Sequence, residues 1–357
     1  MKHIVDSFAF ICFFLLGSCS YVTQSNYTVI DLVNHLQLPI EEIPLSQVSE
    51  SIRIIPIETN DSVLVGRIQA IKLEANKLYI RASNGIFVFD TNGKFLNTVG
   101  SRGRGPREYV SLHNIYPEDD VVWLIDDSGK KALKYTASGR FLEGFDFEKL
   151  RFTEYHHSGN GSFMGFVPDL GHSTNVMLAF FEAAGMIDSI LYRNPIPKNS
   201  TRVMFYHAEV SFINYGDRIK FKHLFNDTIY HISNNKLLPD MVLNLGARKA
   251  NENARNEAAR QNPNDFIDLF KGMDRALLYG ESEHFVYLIV ESVPIFYDKK
   301  ERKTHKWKFI LPEDERLDPE QSKEFVPLYV DKNGNLIGET ASANLEDNPV
   351  IIIAKLK

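Results

Sequence analysis

The chain is nearly without cysteine: Cys12 and Cys19 are its only two in 357 residues, and both precede residue 20. A disulfide framework and a cysteine-based zinc site are therefore excluded from the body of the protein. Basic excess is missing too, since 40 Lys and Arg stand against 46 Asp and Glu, a formal net charge of -6. That balance offers no broad cationic surface for nucleic-acid phosphates, and no nucleic-acid partner is expected. The H-E-x-x-H metal spacing, the P-loop Gly-Lys-Ser/Thr, the EF-hand loop and the G-x-S-x-G nucleophile elbow are all absent. Helical metal sites, phosphate cradles and serine hydrolysis thus lack their usual residues, and neither a metal nor a cofactor is expected.

Long apolar runs are also missing. The longest near the start, F-A-F-I-C-F-F-L-L from Phe8 to Leu16, is too short to cross ~30 Å of hydrocarbon and reads as the apolar core of a secretory signal behind the weakly basic Met1-Lys2-His3. Leu16-Gly17-Ser18-Cys19 resembles the bacterial lipobox, in which small residues precede a cysteine that receives diacylglycerol. Residues 1–18 are accordingly read as a signal peptide and Cys19 as the lipid attachment site. An ordinary secretory signal, in which Cys19 has no role, is the alternative. Asp6 departs from the pattern.

What the chain has is a globular composition, 44% hydrophobic and 12% aromatic, and a repeat. I-F-V-F-D-T-N-G-K-F-L-N-T-V-G at Ile86 to Gly100 is echoed by L-K-Y-T-A-S-G-R-F-L-E-G at Leu133 to Gly144, with Gly93 and Gly139 46 residues apart. That period matches a β-propeller blade, a sheet of about four strands repeated around an axis. Strands of four to seven residues with Asn-Gly-like turns continue along the chain, as hairpins require. Third-blade strands are placed at 162, 175 and 189, fourth-blade strands at 203, 218, 227 and 240, and later ones at 284, 294, 306, 325, 335 and 350. Polar, helix-forming residues from Arg248 to Tyr279 interrupt the pattern and are read as a helical insertion around 248–280.

Six segments result, and about 300 residues at about 45 to 50 per blade give the same number. The expected fold is all-β: a six-bladed β-propeller over 51–357, preceded by a tether and lead-in at 19–50. Pro56 marks Ser51 to Thr59 as an edge strand. Pairing Ile52 to Glu58 with Val350 to Leu356 would join the N- and C-terminal strands and close the ring.

Three phrases now carry a resemblance: Ile55-Pro56-Ile57-Glu58-Thr59, the strand pair around Gly93, and Gly103-Arg104-Gly105-Pro106-Arg107-Glu108-Tyr109. With the N-P-V and K-L-K of Asn348 to Lys357, they resemble the six-bladed β-propeller lipoproteins of Bacteroidetes, of the NHL- or TolB-like kind. Arg107 stands where that family commonly has Gly, and the third blade diverges. The resemblance implies architecture and compartment: the cell envelope, with an outer-membrane lipoprotein facing the periplasm expected over surface display.

Candidate ligand contacts are few. Arg102, Arg104 and Arg107 share a glycine-containing inter-blade loop, where guanidinium forks and backbone N-H groups could meet an anion or a carboxylated sugar; the alternative is a crossover shaped by Pro106 and paired through Glu108. His156 and His157, with His172 nearby, fall in glycine-rich stretches and are read as solvated loop residues that could ligate or exchange protons. Asp119-Asp120 and Asp126-Asp127 read as turn carboxylates, and Trp123 and Trp307 as packing residues. No catalytic residue is assigned. The expected function is a ligand- or protein-binding module, monomeric, held to the membrane through acyl chains and meeting an unknown envelope protein or glycan; an envelope lyase or hydrolase acting on polysaccharide or peptide at the channel is the alternative.

Replacing Cys19 with Ala should shift the protein from the membrane pellet to the soluble fraction; unchanged partition would place the anchor elsewhere.

Overall fold

The computed structural model describes residues 27–147, 154–167, 176–192, 209–250, 271–318, 325–344 and 346–357. Three strands come first: β1 (Thr28–Asp31), β2 (Ile40–Pro44) and β3 (Ser49–Pro56). Blade 1 is β4 (Ile68–Glu74), β5 (Lys77–Ala82), β6 (Gly85–Asp90) and β7 (Phe95–Thr98). Blade 2 is β8 (Leu112–Glu118), β9 (Val121–Asp126), β10 (Lys131–Thr136) and β11 (Phe141–Asp146). Blade 3 is β12 (Glu154–Gly159), β13 (Ser162–Val167), β14 (Val176–Glu182) and β15 (Gly185–Tyr192). Blade 4 is β16 (Val210–Tyr215), β17 (Arg218–His223), β18 (Thr228–Ser233) and β19 (Lys236–Asn244). Blade 5 is β20 (Ala276–Glu281), β21 (Phe285–Val290), β22 (Val293–Asp298) and β23 (Lys303–Ile310). Blade 6 is β24 (Val326–Val330), β25 (Asn335–Thr340) and β26 (Val350–Leu356), with β3 as its fourth strand. The six antiparallel sheets form a six-bladed β-propeller.

The first strand of each blade is innermost, and successive blades touch through β4 and β8, β8 and β12, β12 and β16, β16 and β20, and β20 and β24. Middle strands such as β9 (V-V-W-L-I-D) and β21 (F-V-Y-L-I-V) are almost wholly buried, because each sheet packs on both faces. Outer strands such as β7 alternate between half-buried and exposed. The core is therefore a ring of six clusters, one per blade interface. Tyr79, Val88, Ile115 and Leu124 join blades 1 and 2; Trp123, Phe163 and Phe181 join 2 and 3; Met164, Phe166 and Phe221 join 3 and 4. Ile229, Leu243, Val286 and Leu288 join 4 and 5, and Tyr287, Phe296, Leu336 and Ile352 join 5 and 6. The sixth cluster, with Ile71, Leu78, Ile337 and Ile351, joins blade 6 to blade 1.

Closure uses the two chain ends as expected. Antiparallel pairing runs from Val350 with Pro56 through Ile352 with Ile54 to Leu356 with Ser49, so the strand begins at Ser49 and ends before Ile57. The 46-residue echo has its cause here. Gly93 has φ +87°, and a Cβ on it would sit 2.0 Å from the Pro56 carbonyl oxygen; Gly139 has φ +85°, and its Cβ would sit 2.5 Å from the Thr98 carbonyl oxygen. Each glycine lets the last turn of a blade lie against the outer strand of the preceding blade. The contact across the seam thus repeats the contact between blades 1 and 2.

Three expectations are corrected. The lead-in does not stay a tether to residue 50: β1 pairs in parallel with β19 on the rim of blade 4, and β2 pairs in parallel with β23 on the rim of blade 5. Ile30, Leu32, Ile43, Leu45 and Val48 are buried, which is what holds this belt to the blades. The third blade opens with β12 rather than at 162, and the inner strand of the fourth is β16; the strand placed at 203 lies outside the described residues. The helical insertion falls mostly on 251–270, also outside them, and its far end is corrected because Ala276–Glu281 is strand.

Asn348 fastens the closing strands to the loop that follows β3. Its Nδ2 donates to the carbonyls of Glu58 and Val63, both at 2.7 Å, and its Oδ1 accepts from the Val65 N-H at 2.7 Å. Asn348→Ala strands three backbone groups, and a loss of at least about 2 kcal/mol in urea unfolding is expected. An unchanged midpoint would mean that the loop is held by its apolar contacts alone.

Candidate functional site: the central channel

Five of the six inner strands carry a bulge, leaving Gln69, His113, Ser158, Tyr279 and Leu328 out of register; β16 alone pairs without a shift. Bulges bend a strand and re-aim its side chains, and these are the strands nearest the propeller axis.

Polar contacts run around this wall from blade to blade. Arg81 on β5 donates from Nη1 to Gln69 Oε1 at 2.9 Å and to the Leu112 carbonyl at 3.0 Å. His113 Nε2 lies 3.2 Å from Glu154 Oε2, and the Tyr116 hydroxyl donates to the Tyr155 carbonyl at 2.7 Å. His156 Nε2 donates to Asn214 Oδ1 at 2.9 Å and its ring stacks on Phe212. Lys332 Nζ meets Glu74 Oε2 at 3.1 Å, and Lys72 Nζ stands 4.4 Å from the centre of the Tyr329 ring. Longer interactions cross the axis: Lys72 of blade 1 acts on His156 of blade 3, Lys332 of blade 6 on His157 of blade 3, and Glu154 of blade 3 on Tyr279 of blade 5.

Burial dominates the electrostatics of these groups. It lowers His156 to about 4 against the opposing Asn214 bond, and lowers His157 against the pull of Glu118. It raises Tyr116, Tyr155, Tyr279 and Tyr329 above the ordinary phenol value. Lys72 is brought down to about 8 by burial, with Asp331 pulling the other way.

Several donors here are buried and unused. His157 Nε2, the Tyr329 hydroxyl and Arg81 Nε have no hydrogen-bond partner; Glu118 Oε2 stands 3.6 Å from the His157 nitrogen. Among the described residues no group of three His, Cys, Asp or Glu gathers to hold a metal ion.

The candidates read from sequence are not brought together. His156 and His157 are not solvated: each is 8% exposed on β12, because the glycines beside them form the hairpin turn while the inner strand packs against its neighbours. His172 lies outside the described residues. Arg102, Arg104 and Arg107 are exposed on the crossover from β7 to β8. There Glu108 Oε2 accepts the Gly105 N-H at 2.8 Å, and a Cβ on Gly103 would fall 2.0 Å from the same oxygen. The Tyr135 hydroxyl and Lys131 Nζ take the carbonyls of Arg107 and Gly105. The loop's backbone is thus largely spent on its own shape, although the arginine side chains face outward. Asp126 is likewise a turn carboxylate, holding the N-H groups of Val110, Ser111 and Gly129.

The residues that do converge, Lys72, Arg81, His113, Glu154, Asn214, Tyr279 and Tyr329, were not singled out from sequence. Their one signal was polar or phenolic side chains on the first strand or two of each blade.

A profile described as a domain of unknown function (DUF4934) matches residues 27–355. Among solved structures, a Bacteroides fragilis protein provisionally described as exported is 17% identical, with a TM-score of 0.67 over 92% of this chain and 100% of that one. A DUF4221-family member from Bacteroides vulgatus is 11% identical, with a TM-score of 0.46 over 86% of this chain and 96% of that one. No curated protein matches the chain.

Because the neutral form of His156 is favoured by folding, the unfolded chain binds a proton below its ordinary value of 6.5 that the folded chain refuses until about 4. The contribution is whole above pH 6.5 and is lost as the pH falls toward 4, at up to about 1.4 kcal/mol per pH unit. Urea unfolding between pH 7 and 4.5 should show this acid limb, and His156→Gln should flatten it. A limb unchanged in the variant would assign it to other groups.

Proposed function

The chain belongs to the DUF4934 family, and from its channel geometry we propose that it is a cell-envelope lipoprotein whose propeller binds a ligand at the central channel without transforming it. The observation that carries this reading is the set of buried, unpartnered donors on the channel wall. Buried polar groups are almost always hydrogen-bonded in folded proteins, so idle ones on blades 1, 3 and 6 fit a site whose partner comes from outside. Attachment through Cys19, facing the periplasm from the outer membrane, rests on the lipobox; the description of the Bacteroides fragilis propeller is in keeping with export. The chain acts as a monomer, its partners being the membrane and a glycan or protein of the envelope.

Catalysis has weaker support. The channel tyrosines are all pushed up, away from the range in which a phenolate could act as a base near neutrality. His156 is held neutral and bonded to Asn214. The reading of an envelope lyase or hydrolase is favoured by two imidazole-carboxylate pairs, His113 with Glu154 and His157 with Glu118, which could move protons.

Native mass spectrometry of the protein purified from its own membranes tests the binding reading. A ligand is expected on the wild type and not on a His157→Ala/Tyr329→Phe variant. Retention by both would place the site elsewhere, and turnover of envelope polysaccharide or peptide, lost in His113→Ala, would favour the enzyme.

A further inference from the structure

Resting on the channel reading, we propose that the ligand is an anion presenting a carboxylate to Lys72 and Arg81 of blade 1 and to Tyr329 of blade 6. The argument is a balance of donors against acceptors. Four carboxylates near this wall are committed to the protein itself, and a fifth, Glu339 on β25, is half-buried with its carboxyl pushed up by burial. Asp331 accepts from the N-H groups of Asn333 and Asn335 and from the Asn335 side chain. Glu74 faces Lys332, Glu154 faces His113, and Glu118 accepts from the Asn160 N-H while facing His157. The donors left over are the Tyr329 hydroxyl and Arg81 Nε, both buried and unpartnered.

Lys72 completes the imbalance. Its ammonium rests over the Tyr329 ring, and among the described residues it makes no ion pair or hydrogen bond. Arg81 adds a second positive charge that works against it. Asp331 acts on Lys72 only at a distance, without an ion pair, and a desolvated cation with no directly paired counter-charge is unfavourable in a folded protein, so its presence fits a site that a bound anion completes. A carboxylate suits this set: one ammonium, one phenol and one guanidinium N-H offer two or three charge-assisted bonds. A phosphate dianion would want more, and Arg81 Nη1 is already occupied.

Calorimetric unfolding of the full chain tests the proposal, with glucuronate and galacturonate as probes and glucose and galactose at equal ionic strength as neutral counterparts. The uronates should raise the wild-type Tm and the neutral sugars should not. Lys72→Met should raise the Tm of the unliganded protein, by removing a cation with no paired carboxylate, and should abolish the uronate response. Tyr329→Phe should weaken that response several-fold, and Lys72→Arg should keep it. A lower Tm for unliganded Lys72→Met would show that the lysine serves the fold and would overturn the proposal. So would a uronate response that is missing from the wild type or survives in Lys72→Met. Equal response to acidic and neutral sugars, lost in His157→Ala, would overturn the charge class while leaving the channel a binding site.

Discussion

A ring of sheets has no spare surface: every blade must be covered on two faces, and the last interface exists only if the first and last blades meet. The pairing of β3 with β26 is the constraint that the other five interfaces depend on. Without it, the cluster of Ile71, Leu78, Ile337 and Ile351 would face water from both sides, and edge strands with open N-H and C=O groups would remain. The belt extends the same logic along the rim. β1, β2 and β3 are laid in turn on the outer edges of blades 4, 5 and 6, and their apolar residues enter the clusters between blades 4 and 5, 5 and 6, and 6 and 1. One continuous N-terminal segment therefore finishes half of the interfaces.

Closing the ring also makes the channel. Wedge-shaped packing brings the six inner strands together at their edges, where the apolar clusters cannot reach, and bulges in five of them turn side chains toward the axis. What collects there is polar, and it is held in place by contacts between blades: Arg81 to Leu112, Tyr116 to Tyr155, His156 to Asn214. The same side chains thus orient the blades and shape the wall. Most of the carboxylates answer to protein donors, while part of the donor set does not find a protein acceptor.

The propeller was legible because its repeat has a mechanical cause. Gly93 and Gly139 are required where the last turns of blades 1 and 2 meet the outer strand of the preceding blade, so the spacing of 46 residues reports that contact directly. The closing strands were legible because V-I-I-I-A-K-L and S-I-R-I-I-P can be little else. The belt was not: Glu41 and Glu42 in I-E-E-I-P hide an edge strand whose buried residue is Ile43. His156 and His157 were misplaced because neighbouring glycines announce a turn and say nothing of the strand before it. Lys72 sits in R-I-Q-A-I-K-L, where alternation reads as a solvent-facing lysine; only the curvature of the whole ring turns that face inward. Fold information is carried by local pattern, whereas the site is carried by which blades come to face one another.

The seam has a bearing on how the molecule is made. Ser51 pairs with Lys355, a separation of 355 − 51 = 304 residues, so the first blade-forming strand synthesised waits for nearly the last. Contacts of such long range slow folding, because the loop entropy is lost before the contact repays it. During that wait β1 and β2 have no rim to lie on until blades 4 and 5 exist. A chain crossing a membrane N-terminus first would thus emerge with its belt unattached, and assembly would end, rather than begin, at the end that emerged first.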